Sequence, residues 1–383
     1  MSQVADSIIS KLTAVAHDPG KAVKDYIDQT GHKAIGWLPE IVPEEIIYAG
    51  GMLPVGCWGG ETEINEAKNY LPAFTCSLLM ACMEFDANGT YKNLSGIVVP
   101  SLCDELKCVG QDMMVASSLP VIQIVPPAHR KIAAGITFLE TEYAKMKTKL
   151  EAISGHIITE EALVKAIDVY NDWRKTMREF VAVANDHLDV ITPLVRHHVI
   201  KSAFFMDKAK HAALVKDLIA ALKAESSFEF QGKKVVVTGI MAEPDAVLKI
   251  FEDNQIAVVG DNLAQETIQF ATDVPAEGEN AIHRLALLFA NIEGLSVAYD
   301  PEKKRGQLVL DLAKKNGADG IVFALFKFCC EEEFDYPVMK EEFQAQHVPT
   351  LYLEIDQQQA DTEQARTRIQ AFKETLDMGQ QVG

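Results

Sequence analysis

The 383-residue sequence has no apolar run of the roughly eighteen residues that a membrane-spanning helix needs. Its opening stretch, MSQVADSIISKLTAVAHDPGKAV, has charged residues interrupting short apolar groups. It lacks the basic start, continuous apolar centre and small-residue cleavage site of a secretory signal. A cytosolic, reducing compartment is expected, where clustered thiols serve as metal ligands, redox groups or small buried hydrophobes rather than as structural disulfides. Positive charge is scarce: 36 Lys and Arg stand against 55 Asp and Glu, a formal charge of −19 whose field repels nucleic acid and anionic membrane. Phosphate-binding glycine motifs are missing as well. VVVTGIMAEPD supplies a strand, Gly239 and a helix start, but neither G-x-G-x-x-G nor G-x-x-x-x-G-K-[ST] occurs. A nucleotide site of either kind is disfavoured, and any ATP use belongs to another protein. The ten His form no H-E-x-x-H, and Arg196-His197-His198 falls in a helical stretch with surface or core placement expected. No G-x-S-x-G elbow supports a serine hydrolase.

What the sequence does contain is ordinary globular composition, 48% hydrophobic and 24% charged, and enough length for two or three domains. Val4, Ile8, Leu12 and Val15 are spaced for an opening helix, which Asp18-Pro19-Gly20 breaks. From Lys33 short apolar runs alternate with amphipathic stretches: KAIGWL, PEEIIYAGG, MLPVGCWG, CSLLMACMEF, LSGIVVP, CDELKCVGQDMM and PVIQIVPP. That alternation predicts βαβ units on a parallel sheet, with LSGIVVP and PVIQIV as its clearest buried strands. From about Ala128 to Ala224 the pattern is helical, and Thr159-Glu160-Glu161 starts one of those helices with acidic residues in its first turn. Alternation resumes with GKKVVVTGI, QIAVVGD, GIVFALFKF and VPTLYLEID, and a closing helix is expected over Ala360 to Met378. The fold class is α/β: two open parallel-sheet, flavodoxin- or Rossmann-like domains with an N-terminal helix and a helical segment between them. The expected boundaries are 1–127, 128–230 and 231–383. No low-complexity linker separates them, so they should pack closely, with ligands in a crevice at the C-terminal strand ends.

Seven Cys is an odd number, which excludes complete internal pairing. Cys76 follows Pro72-Ala73-Phe74 before a helical run, Cys103 follows GIVVP, and Cys329-Cys330 follow GIVFALFKF. These positions share one kind of place, the end of a parallel strand or the start of the next helix. There, exposed N–H groups and the helix dipole favour anionic sulfur. Such conditions suit an iron-sulfur cluster. The compact C-x2-C spacing of ferredoxins is absent, so buried core thiols remain the competing reading. Cys57 is expected in a strand of the core and Cys82 beside Met80 and Met83. Cys108 is the substitute ligand nearest to Cys103, and Cys330 points away from its neighbour.

The segments PEEIIYAGGMLPVGCWGG, YLPAFTCSLLMACMEF, LSGIVVPSLCDELKCVGQ, NDWRKTMREFVAVAND, GKKVVVTGIMAEPDAVLKIF and ADGIVFALFKFCCEEEFDYPVMKEEF carry a resemblance through nearly the whole chain. In combination, LPAF-x-C, P-x-x-CD and KFC-x-x-EE-x-DYP resemble the beta subunits of the (R)-2-hydroxyacyl-CoA dehydratases, and within that family they look like 2-hydroxyglutaryl-CoA dehydratase.

The resemblance implies a lyase heterodimer with an alpha subunit, each subunit holding one 4Fe-4S cluster on three cysteines. Here these would be Cys76, Cys103 and Cys329, with a non-cysteine ligand on the fourth iron. Cys330 stands where relatives commonly have another residue, which makes the choice between Cys329 and Cys330 the point to test. The implied reaction converts a 2-hydroxyacyl-CoA to a 2-enoyl-CoA, in the named case 2-hydroxyglutaryl-CoA to glutaconyl-CoA. It uses an electron from a separate ATP-dependent iron-sulfur activator and a ketyl radical of the thioester. Substrate is expected mainly on the alpha subunit. Flavin is associated with some members, and no flavin motif is visible. Two rivals stand beside this reading: a cluster-free binding or scaffold subunit, and a subunit of a related benzoyl-CoA-type reductase. Lys327 and the acidic residues Glu331, Glu332, Glu333 and Asp335 are expected to be solvated. Trp58, Glu61 and Glu63 are candidates to line the crevice, and no acid or base is assigned.

Overall fold

The computed structural model describes residues 3–358 and 362–381. Among the described residues, eight strands form two separate parallel sheets. The first holds β1 (Ala34–Trp37), β2 (Leu53–Gly56), β3 (Ile97–Pro100) and β4 (Val121–Ile124) in the order β2-β1-β3-β4. The second holds β5 (Lys233–Gly239), β6 (Ile256–Leu263), β7 (Gly320–Phe326) and β8 (Thr350–Ile355) in the order β6-β5-β7-β8. The two sheets therefore have the same topology, and the expected pair of open α/β units is present. Each has a point where the winding direction reverses, between β1 and β3 in the first and between β5 and β7 in the second. Loops leave the strand ends in opposite directions at such a point and open a crevice.

The helices in chain order are α1 (Gln3–His17), α2 (Pro19–Thr30), α3 (Glu44–Ala49), α4 (Ser77–Ala87), α5 (Asp104–Ala116), α6 (Ala133–Ser154) and α7 (Glu160–Ala184). They continue with α8 (Pro193–Ser202), α9 (Lys208–Lys223), α10 (Asp245–Asp253), α11 (Ala281–Asn291), α12 (Arg305–Lys315), α13 (Cys330–Ala345) and α14 (Glu363–Gln381). Asp18-Pro19 does not end helical structure as the sequence suggests. It starts a second helix, because the Asp18 carboxylate accepts from Lys21 N–H and Pro19 occupies the first turn, where its missing N–H costs nothing. The expected cap at Thr159 is present, its Oγ1 accepting from Ala162 N–H at 3.2 Å. Ala360, where the last helix is expected to begin, lies outside the described residues.

β3 and β7 are buried along their whole length, as continuous apolar runs in central parallel strands should be. β4 is buried only at alternate positions, because it is an edge strand. Leu12 of α1, Trp173 and Phe180 of α7, Val199 of α8 and Val215 of α9 form a second core outside the sheets. At about 1.5–3 kcal/mol per fully buried large side chain, this core fixes the helical segment as a rigid part of the molecule. The two sheet units are tied directly. Gln357 donates to Trp58 O at 3.0 Å, and its backbone N–H donates to Ser77 Oγ at 3.2 Å. Arg130 donates to Tyr299 O and Ile292 O, each at 2.8 Å.

Of the surface and core placements open to Arg196-His197-His198, the structure shows the core one. Arg196 pairs with Asp261 and Glu266, His197 bridges Glu266 and Glu243, and Lys201 reaches Glu243 at 2.8 Å. This network welds α8 to the second sheet. Glu332 is fully buried and Asp335 nearly so, against the solvated face expected for them. The reason is Arg305 at the start of α12, whose Nη2 lies 2.8 Å from Glu332 Oε1 and whose Nη1 lies 3.4 Å from Asp335 Oδ2. Glu333 is exposed as expected.

Candidate metal centre

Each of the three candidate cysteines occupies the position just before the first residue of a helix: Cys76 before α4, Cys103 before α5 and Cys329 before α13. The chain reaches these positions in different ways. After β3 only Ser101 and Leu102 intervene, and Ser101 N–H still pairs with Ile124 O at 2.8 Å. After β7 the chain turns through Lys327 and Phe328, and Cys329 N–H closes on Phe326 O at 2.9 Å. Phe328 adopts φ 69°, a left-handed conformation that costs an ordinary residue about 1–2 kcal/mol. Strain of this kind next to a candidate ligand is the usual mark of a functional turn. Cys76 differs, since a long connection separates it from β2. That connection is pinned by the buried carboxylate of Glu84, whose Oε2 accepts from the backbone N–H groups of Asn65, Glu66 and Ala67 at 2.9, 2.8 and 2.9 Å.

All three cysteines line one cavity of about 410 Å³ measured out to its mouth, with Pro39, Glu40, Glu105, Glu331, Ile240 and Phe326 among the other walls. Its position follows from the topology. Pro39 and Glu40 follow β1, Cys103 follows β3, Ile240 follows β5, and Phe326 and Cys329 end or follow β7. The reversal points of both sheets thus open onto the same space, and the ligand crevice expected at the strand ends is shared by the two halves.

The electrostatics have two opposing parts. Leu106 N–H donates to Cys103 Sγ at 3.3 Å, and backbone N–H groups of Leu79 and Glu332 act in the same way on Cys76 and Cys329. These contacts favour the thiolate. Burial acts against them and is larger: it pushes all three thiols up, with Glu105 adding to the effect at Cys76, Glu331 and Glu40 at Cys103, and Glu332 and Glu40 at Cys329. Burial and these carboxylates therefore favour the neutral thiol over a free thiolate at each of the three positions. A soft cation would displace their protons and receive three sulfur donors from three helix N-termini. The donor set, the apolar wall and the convergence of helix ends all fit an iron-sulfur group.

The remaining cysteines separate cleanly. Cys330, one residue further on, is exposed and outside the cavity lining, and Cys108 is exposed on α5. Cys82 is fully buried in the core that also holds Met80 and Met83, and its Sγ donates to Cys57 O at 3.2 Å. Cys57 is a core residue, though it follows β2 rather than lying in it. Lys327 is exposed, with Nζ 5.3 Å from the Phe328 ring centre. Trp58 and Glu61 line a different, larger and open cavity together with Lys201 and Glu243, and Glu63 lines neither.

Glu40 is the group that sequence reasoning missed. It is 4% exposed, its Oε2 has no hydrogen-bond partner, and burial together with Glu332 and Glu331 raises its carboxyl to about 8. The signal in the sequence was an acid three residues after the end of a buried strand.

The family model for 2-hydroxyglutaryl-CoA dehydratase, D-component, matches residues 41–376. The chain is 44% identical over 373 residues to the (R)-phenyllactyl-CoA dehydratase beta subunit of Clostridium sporogenes, covering 97% of this chain and 99% of that one. It is 44% identical over 378 residues to lactoyl-CoA dehydratase subunit beta of Anaerotignum propionicum, covering 98% and 100%. With the (R)-2-hydroxyglutaryl-CoA dehydratase subunit beta of Acidaminococcus fermentans the identity is 38% over 377 residues, covering 97% and 99%.

Proposed function

The chain belongs to the 2-hydroxyglutaryl-CoA dehydratase D-component family, and on that footing we propose that it is the beta subunit of an (R)-2-hydroxyacyl-CoA dehydratase, paired with an alpha subunit. The similar proteins are named for three acyl groups, so the proposal is made for the substrate class, with 2-hydroxyglutaryl-CoA as one member.

The observation that carries the reading is the convergence of Cys76, Cys103 and Cys329 on one cavity at both reversal points. These residues would hold a 4Fe-4S cluster, which when bound supplies reversible one-electron storage at low potential. The chain's own part is to hold it. The amides of Leu79, Leu106 and Glu332 stabilise anionic sulfur, the apolar side chains of Leu78, Ile240 and Phe326 limit water, and the turn at Phe328 aims Cys329 inward.

Such chemistry meets a physical need of the reaction. The proton lost lies at C3, beta to the thioester carbonyl, and is barely acidic. One electron added to the thioester gives a ketyl radical anion, which expels the 2-hydroxyl and makes the C3 proton removable. The electron is returned after water has left. On this reading ATP is hydrolysed by a separate activator that delivers the electron.

The test is an anaerobic assay of this chain with its alpha partner, the activator, ATP and a panel of (R)-2-hydroxyacyl-CoA thioesters. Enoyl-CoA formation that requires all the proteins is expected. Formation that continues without this chain, or binding of its partner with no turnover of any thioester, contradicts the proposal.

A further inference from the structure

Three cysteines leave one iron of a four-iron cluster without a protein sulfur. The cavity offers three carboxylates for that place, and their surroundings distinguish them. Glu105 is engaged, its Oε2 accepting from Cys76 N–H at 3.1 Å. Glu331 lies only half-buried in the first turn of α13, with its own helix-end N–H as partner. Glu332, one residue further, is turned to Arg305. Of the three that line the cavity, Glu40 alone is more than nine-tenths buried with a carboxylate oxygen that meets no donor. It lines the same cavity as the three thiols, and its charge opposes ionisation of Cys103 and Cys329. The backbone is held there as well, since Glu40 O accepts from Gln269 Nε2 at 2.9 Å.

A buried polar oxygen without a partner is costly and needs a reason. We infer that Glu40 is the fourth ligand of the iron-sulfur group held by Cys76, Cys103 and Cys329, binding its remaining iron through a carboxylate oxygen. The inference rests on the cluster reading above. Carboxylate is a good donor to iron, and the added negative charge is balanced by the three helix N-termini that face the cavity. On ligation the carboxyl proton leaves to solvent, and no electron is transferred. The position, three residues after the end of β1 at the reversal point of the first sheet, points the ligand's segment toward the shared cavity.

The test uses the full chain prepared anaerobically with 13C-carboxyl glutamate, as wild type, Glu40→Gln and Glu40→Ala. Iron content is measured, and the reduced cluster is examined by electron-nuclear double resonance. The expected result is about four iron in all three proteins, a 13C coupling in wild type and its loss in Glu40→Ala, with altered g-values. Glu40→Gln, which keeps the side-chain shape, should show the same loss of carboxylate coupling and guards against a folding defect. A loaded wild-type cluster without 13C coupling, or coupling that persists in Glu40→Ala, overturns the assignment of Glu40 while leaving the cluster in place. Wild-type protein that takes up no iron overturns the cluster reading itself, and this inference with it.

Discussion

Arg305→Met removes the cation that holds the first turn of α13, and the structure sets the size of the loss. Arg305 is 5% exposed and Glu332 is fully buried. Their atoms approach to 2.8 Å as a close charge pair, and neither Glu332 oxygen has an aligned hydrogen bond to replace it. Arg305 also donates to Asn262 Oδ1 at 2.9 Å and Thr238 Oγ1 at 3.1 Å, and its guanidinium lies 5.7 Å from the Phe323 ring centre. Breaking a buried pair by removing one partner costs about 3–5 kcal/mol. Methionine refills part of the apolar contact, and Asp335 keeps Lys303 at 2.6 Å, so the lower end of about 3 kcal/mol is expected. With a urea slope of about 3 kcal/mol/M, the unfolding midpoint should fall by about 1 M. Arg305→Met combined with Glu332→Met removes the stranded charge and should recover about 2 kcal/mol of that loss. Urea titrations followed by circular dichroism of wild type, both single variants and the double variant provide the cycle. A single-variant cost below about 1 kcal/mol, or no coupling between the two positions, refutes the reasoning that Arg305 exists to neutralise Glu332.

Two further outcomes follow from the buried network and the thiols. Burial lowers the His197 pKa, but hydrogen bonds and charges from Glu243 and Glu266 outweigh it and raise it from 6.5 to about 9. A group raised on folding contributes stability that is complete below its unfolded pKa and lost as pH climbs through its folded pKa. Wild type should therefore lose on the order of 3 kcal/mol between pH 6.5 and about 9 from this group. The slope should be smaller in His197→Gln, and equal slopes in urea melts across that range contradict it. In metal-free folded protein, a maleimide should modify the exposed Cys108 and Cys330 first and reach buried Cys57 and Cys82 only on unfolding, as read by peptide mass spectrometry. Cys57 or Cys82 reacting as fast as Cys108 contradicts the burial assigned to them.

Much of the fold is legible because burial on both faces leaves continuous apolar runs, such as GIVFALFKF for β7, and because caps leave local signatures, such as Thr159. The parts that were not legible depend on partners distant in sequence. Glu332 and Asp335 form an acidic run that looks solvated until Arg305, contributed by another helix, is seen to face it. Arg196, His197 and Lys201 look like an ordinary polar helix face, yet their partners come from the second sheet unit. Asp18-Pro19-Gly20 can end a helix or start one, and the deciding fact is the direction of the Asp18 side chain toward Lys21 N–H. At the site, the helix-start positions of Cys76, Cys103 and Cys329 could be read locally, whereas their meeting in one cavity required the matching topology of the two sheets. Glu40 was invisible for the same reason, since its role depends on where β1 ends relative to β3 and β7.

The central claim is that the three converging cysteines hold an iron-sulfur cluster, and the most direct measurement is iron content with the visible spectrum of anaerobically purified chain, as wild type, Cys103→Ser and Cys57→Ser. About four iron per chain and a brown, broadly absorbing protein are expected for wild type and Cys57→Ser, with a marked loss of iron in Cys103→Ser. Colourless, iron-free wild type from iron-sufficient anaerobic cells, or equal iron in Cys103→Ser and Cys57→Ser, contradicts the account.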